Sequence, residues 1–131
     1  MPLKIVLGPG EIVVVNGCVL RNVDRRQAFW IDTRADVLRG KDVMDPETAT
    51  TPVRRAYALA QVALLRPERR DAVLPVLQET LADLAAAFAP ERAARVHDAA
   101  HAVSSGNPYG ALSILRRLIP EEDALLADAA R

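Results

Sequence analysis

The sequence predicts an α+β chain: a small antiparallel sheet of about five strands over residues 1–44, then a bundle of four to five helices over residues 45–131. Three observations carry that division. Asn16-Gly17 separates two runs rich in β-branched residues, and a two-residue type I′ turn needs residues that accept positive φ. Asp45-Pro46-Glu47 then changes the pattern, with a capping Asp, a Pro at the first helical position and a Glu behind it. From there to the end, apolar residues recur at helical spacing.

Taken in order, Leu3 to Leu7 is a short apolar run closed by Gly8-Pro9-Gly10, a cluster no helix tolerates. Glu11 to Val15 and Cys18 to Val23 form the hairpin arms, and Asn22 to Arg26 reads as the next turn. Gln27 to Thr33 alternates, with Phe29 and Ile31 on one face and Ala28, Trp30 and Asp32 on the other. Val37 to Arg39 makes a last strand before Gly40. Strands this closely spaced predict sequence-neighbour pairing, as a meander or a small barrel-like sheet.

Thr51-Pro52 repeats the helix-start device, and Val53, Ala56, Tyr57, Ala60 and Leu64 fall on one face, with Arg54 and Gln61 opposite. Pro67 starts another helix, which Pro75 either kinks or splits. Leu77, Leu81, Leu84 and Phe88 form its apolar stripe. Pro90-Glu91 opens an alanine-rich helix that ends at Ser104-Ser105-Gly106. Asn107-Pro108 caps the next, with Leu112, Leu115 and Ile119 inward and Arg116 and Arg117 suited to its negative end. Pro120-Glu121-Glu122 reads as the start of a short final helix.

Composition narrows the function classes. Half of the 131 residues are apolar, enough for a core, and basic and acidic residues balance at 17 each. No global field therefore draws the chain to nucleic acid or membrane, and any such contact needs a local patch. Cys18 is the single cysteine, which leaves no intramolecular disulfide. The N-terminal apolar run is far too short for a signal peptide, and no segment approaches a membrane span. The expectation is a cytoplasmic protein with no membrane partner.

Catalytic and metal chemistry find no constellation. His97-Asp98-Ala99-Ala100-His101 imitates the two-histidine zinc motif, but Asp replaces the general-base Glu and no further His can complete the shell. Both histidines read as ordinary helix-surface or interface residues. Ser104, Ser105 and Ser113 have no nucleophile-elbow context, and Gly8-Pro9-Gly10 lacks the Gly-Lys and helix of a phosphate loop. Cys18 reads as a buried, inert thiol in an apolar strand. No cofactor and no enzymatic activity are expected.

A binding surface remains. Arg21, Arg25, Arg26, Arg34, Arg39 and Lys41 gather along the strands and turns, and Arg54 and Arg55 follow at the junction. Guanidinium groups on small sheets suit single-stranded RNA, where they pair with phosphates and stack on bases. Trp30 is the one candidate stacking platform; its alternative role is to fill core between sheet and helices. Asp24, Asp32, Asp36, Asp42, Asp45 and Glu47 are interleaved with the basic set, so salt-bridged surface is the competing reading.

The stretches LKIVLGPGEIVVVNGCVL, DRRQAFWIDTRADVLRGKDVM, ATTPVRRAYALAQ and SGNPYGALSILRRLI, in this order and spacing, resemble the FlbT family of flagellum biosynthesis repressors. That resemblance implies post-transcriptional control of flagellin: association with the 5′ untranslated region of flagellin mRNA, lowered translation and message decay, or activation in some members. It also implies a pathway shared with a small protein, FlaF, and no established catalytic residues. GPGEIVVVNG followed by RRQAFWIDTRADVLRGKDV is similar in layout to CsrA, a small RNA-binding translational regulator that acts as an intertwined dimer. That layout implies RNA contacts from Lys4 on the first strand and Arg39 in VLRG, although Leu38, Gly40 and Lys41 replace the histidine and paired glutamates around that arginine. Two readings follow. In one, the β module grips the flagellin mRNA leader while the helical half forms a homodimer, a higher oligomer or a partner site. In the other, the chain is a protein-binding adaptor or chaperone-like regulator acting through FlaF or flagellin.

Overall fold

In the computed structural model, which describes residues 2–131, five strands precede four helices. They are β1 (Leu3–Leu7), β2 (Ile12–Val15), β3 (Cys18–Arg21), β4 (Gln27–Ile31), β5 (Val37–Arg39), α1 (Pro52–Leu65), α2 (Arg70–Ala87), α3 (Pro90–Ser104) and α4 (Pro108–Ala129). The chain divides into two compact units, Met1–Val43 and Met44–Arg131.

In the β unit, Asn16 (φ 49°) and Gly17 (φ 80°) form the two-residue turn that joins β2 to β3. The expected meander is overturned. β1 pairs with β4 alone, and β2 lies between β3 and β5, all antiparallel. The longer connections explain the crossing. Asn22 stitches two of them together, its Nδ2 donating to the carbonyls of Leu7, Gly8 and Arg25 at 2.6–3.0 Å. That side chain holds the end of β1 beside the turn leaving β3, so the chain returns along β1 instead of β3. Asn16 does the same for β5: its N–H donates to the Asp36 carbonyl, and its Oδ1 accepts from the Asp36 N–H at 2.9 Å. The free side of β2 thereby receives β5.

Strand alternation places Ile5 and Leu7 of β1 in a core with Val13, against which Val15, Phe29, Ile31 and Val37 pack. The opposite phase is outward, so Trp30 is 60% exposed and does not fill core. Cys18 is exposed as well, against expectation, because all four residues of β3 lie open at the edge of the three-stranded sheet.

The helical unit begins with Asp45, whose carboxylate accepts from the Glu47 N–H and caps the 3₁₀ turn Pro46–Thr48. Thr51 caps α1 by accepting from the Arg54 N–H, and Asn107 caps α4 by accepting from the Gly110 N–H. Each helix packs on the next, and α4 returns to α1, closing a four-helix bundle. The buried stripes are Val53, Ala56, Tyr57 and Ala60 on α1, Leu77, Leu81 and Leu84 on α2, Val96, Ala99 and Val103 on α3, and Leu112, Leu115 and Leu118 on α4. Each buried Leu is worth about 1.5–3 kcal/mol relative to an exposed one, and the alanines let helix axes approach closely.

Several helix boundaries differ from expectation. Pro75 lies inside α2 without splitting it, and Pro120 lies inside α4, so no fifth helix starts there. A proline ring costs one backbone bond and crowds the carbonyl four residues back. In α4 that cost is borne by a single buried face, Leu115, Leu118 and Glu122, which spans the proline. Arg116 and Arg117 are consequently mid-helix and not at a negative end. Leu118 is the fully buried residue where Ile119 was expected, and Phe88 is half-buried at the end of α2. Gln61, expected on the outer face of α1, is buried: its Oε1 accepts from the Met44 N–H at 2.7 Å and its Nε2 donates to the Met44 carbonyl at 2.9 Å.

Candidate nucleic-acid interface

The β unit carries a cleft of about 700 Å³ bordered by β1, the start of β2 and the turn after β5. Arg21 on β3 and Arg39 on β5 flank β2 from opposite sides, paired with Ile12 and Val13; these consecutive residues point to opposite faces, so the two arginines leave the sheet on opposite faces, and both line the cleft. Lys41, in the 3₁₀ turn that follows β5, also lines the cleft. Arg21 is fixed by donating from Nη1 to the Gly10 carbonyl at 2.9 Å. Gly40 brings its turn against β2, because a Cβ there would lie 2.7 Å from the Ile12 carbonyl oxygen. One carboxylate also lines the cleft: Glu11, whose Oε1 accepts from the Gly8 N–H at 3.0 Å.

Trp30 lies beside Lys4, its directly paired residue across β1 and β4, with the ammonium 5.9 Å from the ring centroid. That is a cation–π contact on an exposed surface. Val6 follows Lys4 on the same face of β1 and lines the cleft, about 7 Å further along the strand. Val6 is thus common to the face of β1 that carries Lys4 and to the lining of the cleft.

The remaining basic candidates are dispersed. Arg25 and Arg26 are exposed in the β3–β4 connection, and Arg34, after β4, borders a separate hollow with Leu3, Ile31 and Val37. Arg54 is committed to an intrachain pair, donating to both carboxylate oxygens of Asp123 at 2.6 and 2.9 Å. The hydrogen bond from Arg54 holds the Asp123 carboxyl below its usual range, and the same bond makes the guanidinium harder to deprotonate. Arg55 is exposed on α1 and donates to the Thr50 carbonyl. His97 and His101 are exposed on α3, and no group of three or more metal-ligating side chains occurs among the described residues. No helix among them is long and apolar enough to cross a membrane.

Two structural residues escaped the sequence pattern. Glu122, buried on α4, accepts the Val53 N–H at 2.8 Å and so satisfies the first turn of α1 from a distant segment. No local motif signals that pairing. Asn22 sat within a turn that was legible as a turn, but its bridging role was not.

Comparison with known proteins places this architecture. A family model described as flagellar protein FlbT matches residues 3–126. The chain belongs to the FlbT family. It is 36% identical over 130 residues to a protein named probable flagellum biosynthesis repressor protein FlbT from Rhodopseudomonas palustris (strain TIE-1), covering 97% of this chain and 99% of that one. A protein of the same name from Chelativorans sp. (strain BNC1) is 36% identical over 95% of this chain and 86% of its own length. The flagellum biosynthesis repressor protein FlbT of Caulobacter vibrioides (strain ATCC 19089 / CIP 103742 / CB 15) is 51% identical over 57 residues, 44% of this chain and 40% of that one. No solved structure matches the chain.

Proposed function

We propose that this FlbT-family chain represses flagellin synthesis by binding the 5′ untranslated region of flagellin mRNA through its β unit. The observation that carries the reading is the joint placement of Arg21, Arg39 and Lys41 on one cleft, with exposed Trp30 on the adjoining face. In this reading the three cations pair with phosphates of an extended strand. The indole offers a stacking surface for a base, and such stacking is worth about 1–3 kcal/mol. A leader held in this way is closed to the ribosome and open to nucleases, giving both blocked translation and message decay. The flagellum-repressor names of the relatives support the biological setting.

Filter binding of the purified chain to a flagellin mRNA leader tests the proposal. Three phosphate contacts to a single strand give a log–log salt slope of about −2, or roughly a 20-fold loss of affinity between 50 and 200 mM salt. Arg21→Ala/Arg39→Ala/Lys41→Ala should bind weakly with a nearly flat salt slope. Equal affinity and slope for the two proteins would overturn the reading.

A further inference from the structure

We infer that the helical unit carries a docking groove for an amphipathic helix of another protein, independent of the RNA surface. A groove of about 810 Å³ lies between α1 and α2 and reaches the last turns of α4. Its floor is apolar apart from the buried Glu122 of α4, with Leu59 and Val62 on α1 and Leu84 on α2. Its rim holds the largest exposed apolar residues of this unit: Val76 at 51%, Leu125 at 40% and Leu126 at 49%. Along α1 the lining runs from Pro52 to Val62, about 15 Å or three helical turns.

The walls select the occupant. Both long sides are helices whose interior backbone groups are already bonded, so no strand edge is available to an extended peptide. A helix laid between two neighbouring helices repeats the packing of the bundle and presents side chains at i, i+3, i+4 and i+7 to the floor. Charge adds a direction. Arg55 stands on the α1 wall and Asp83 on the α2 wall; both are exposed, and neither forms an ion pair among the described residues. The fitting partner is thus a helix of at least three turns with an aliphatic stripe, a carboxylate on the flank facing Arg55 and a Lys or Arg on the flank facing Asp83. A second copy seated groove on groove fits poorly, because two concave faces meeting would enclose a void.

The test uses the full chain and two fluorescein-labelled helical peptides of roughly 15 residues. Both carry the same leucine stripe; one has a carboxylate flank and a basic flank, and the other has carboxylates on both flanks. The peptide with one flank of each sign should bind about tenfold more tightly, and Asp83→Lys, which makes both walls basic, should invert that preference. Val76→Glu, and independently Leu126→Lys, should abolish binding of both peptides with the helical circular dichroism unchanged. Equal binding of the two peptides, a preference that does not invert, or binding of neither would overturn the inference. So would sedimentation showing a wild-type dimer that Val76→Glu dissociates, since a second copy would then cover the groove.

Discussion

Glu122→Ala should destabilise the helical unit by about 2–4 kcal/mol. The residue is 5% exposed, and its Oε2 accepts the Val53 N–H at 2.8 Å, one of the donors that the start of α1 cannot satisfy internally. Truncation leaves that buried N–H unpaired, at about 1–3 kcal/mol. It also removes a negative charge from a helix N-terminus, worth about 0.3–1 kcal/mol and up to about 2 where partly buried. The neighbouring guanidinium does not offset this, because Arg54 is already bonded to Asp123 and lies 3.9 Å from Glu122 Oε1. Glu122→Gln keeps an acceptor for Val53 but loses the charge and puts amide N–H donors where the buried Oε1 has no hydrogen-bond partner, so it should also cost about 1–3 kcal/mol. Urea unfolding followed by the far-UV helical signal measures both, with an unchanged denaturant slope indicating a native-state effect. A cost below about 0.5 kcal/mol for alanine, the range of surface substitutions, would refute the reasoning.

Gln61→Met should cost about 1–3 kcal/mol, since it strands both the N–H and the carbonyl of Met44; protection of the Met44 amide from hydrogen exchange should fall with it. Gly17→Ala should destabilise the β2–β3 hairpin by about 1–2 kcal/mol, because its φ of 80° forces a side chain into left-handed backbone, and thermal melting would register the loss. Hydrogen bonds from Arg54 to Asp123, and from Arg95 and then Arg92 to Glu121, hold both carboxyls below their ordinary values. Carboxyls depressed in the folded state contribute stability that is present above their unfolded values near 4 and is lost as pH falls through the folded ones. Acid titration of Asp123→Asn/Glu121→Gln should accordingly show a shallower loss of helix below about pH 4 than the wild type does.

Local chemistry made most of this fold legible. Asn16-Gly17 specified its turn, the proline starts at Pro52, Pro90 and Pro108 marked their helices, and alternation placed Phe29 and Ile31 inward. What the local pattern lacked was long-range pairing. The choice of β1 for β4 and of β2 for β5 rests on Asn22 and Asn16 reaching carbonyls and amides far along the chain. Pro120 read as a helix start because its local signal matches one; burial of Leu118 and Glu122 on either side overrode it. Of the basic set, Arg21, Arg39 and Lys41 border one cleft only because β3 and β5 both pair with β2, while Arg54 was drawn away by Asp123, 69 residues distant in sequence.

Trp30 is the single tryptophan of the chain and is exposed, so its intrinsic fluorescence reports on the proposed RNA surface without a label. Titrating a flagellin mRNA leader into the protein should quench its emission to saturation. The quench should require much higher RNA concentrations in Arg21→Ala/Arg39→Ala/Lys41→Ala, because in the proposed complex the basic residues and the indole hold one strand. Emission that stays unchanged while RNA is bound, or the absence of any binding at low salt, would contradict RNA recognition by the β unit.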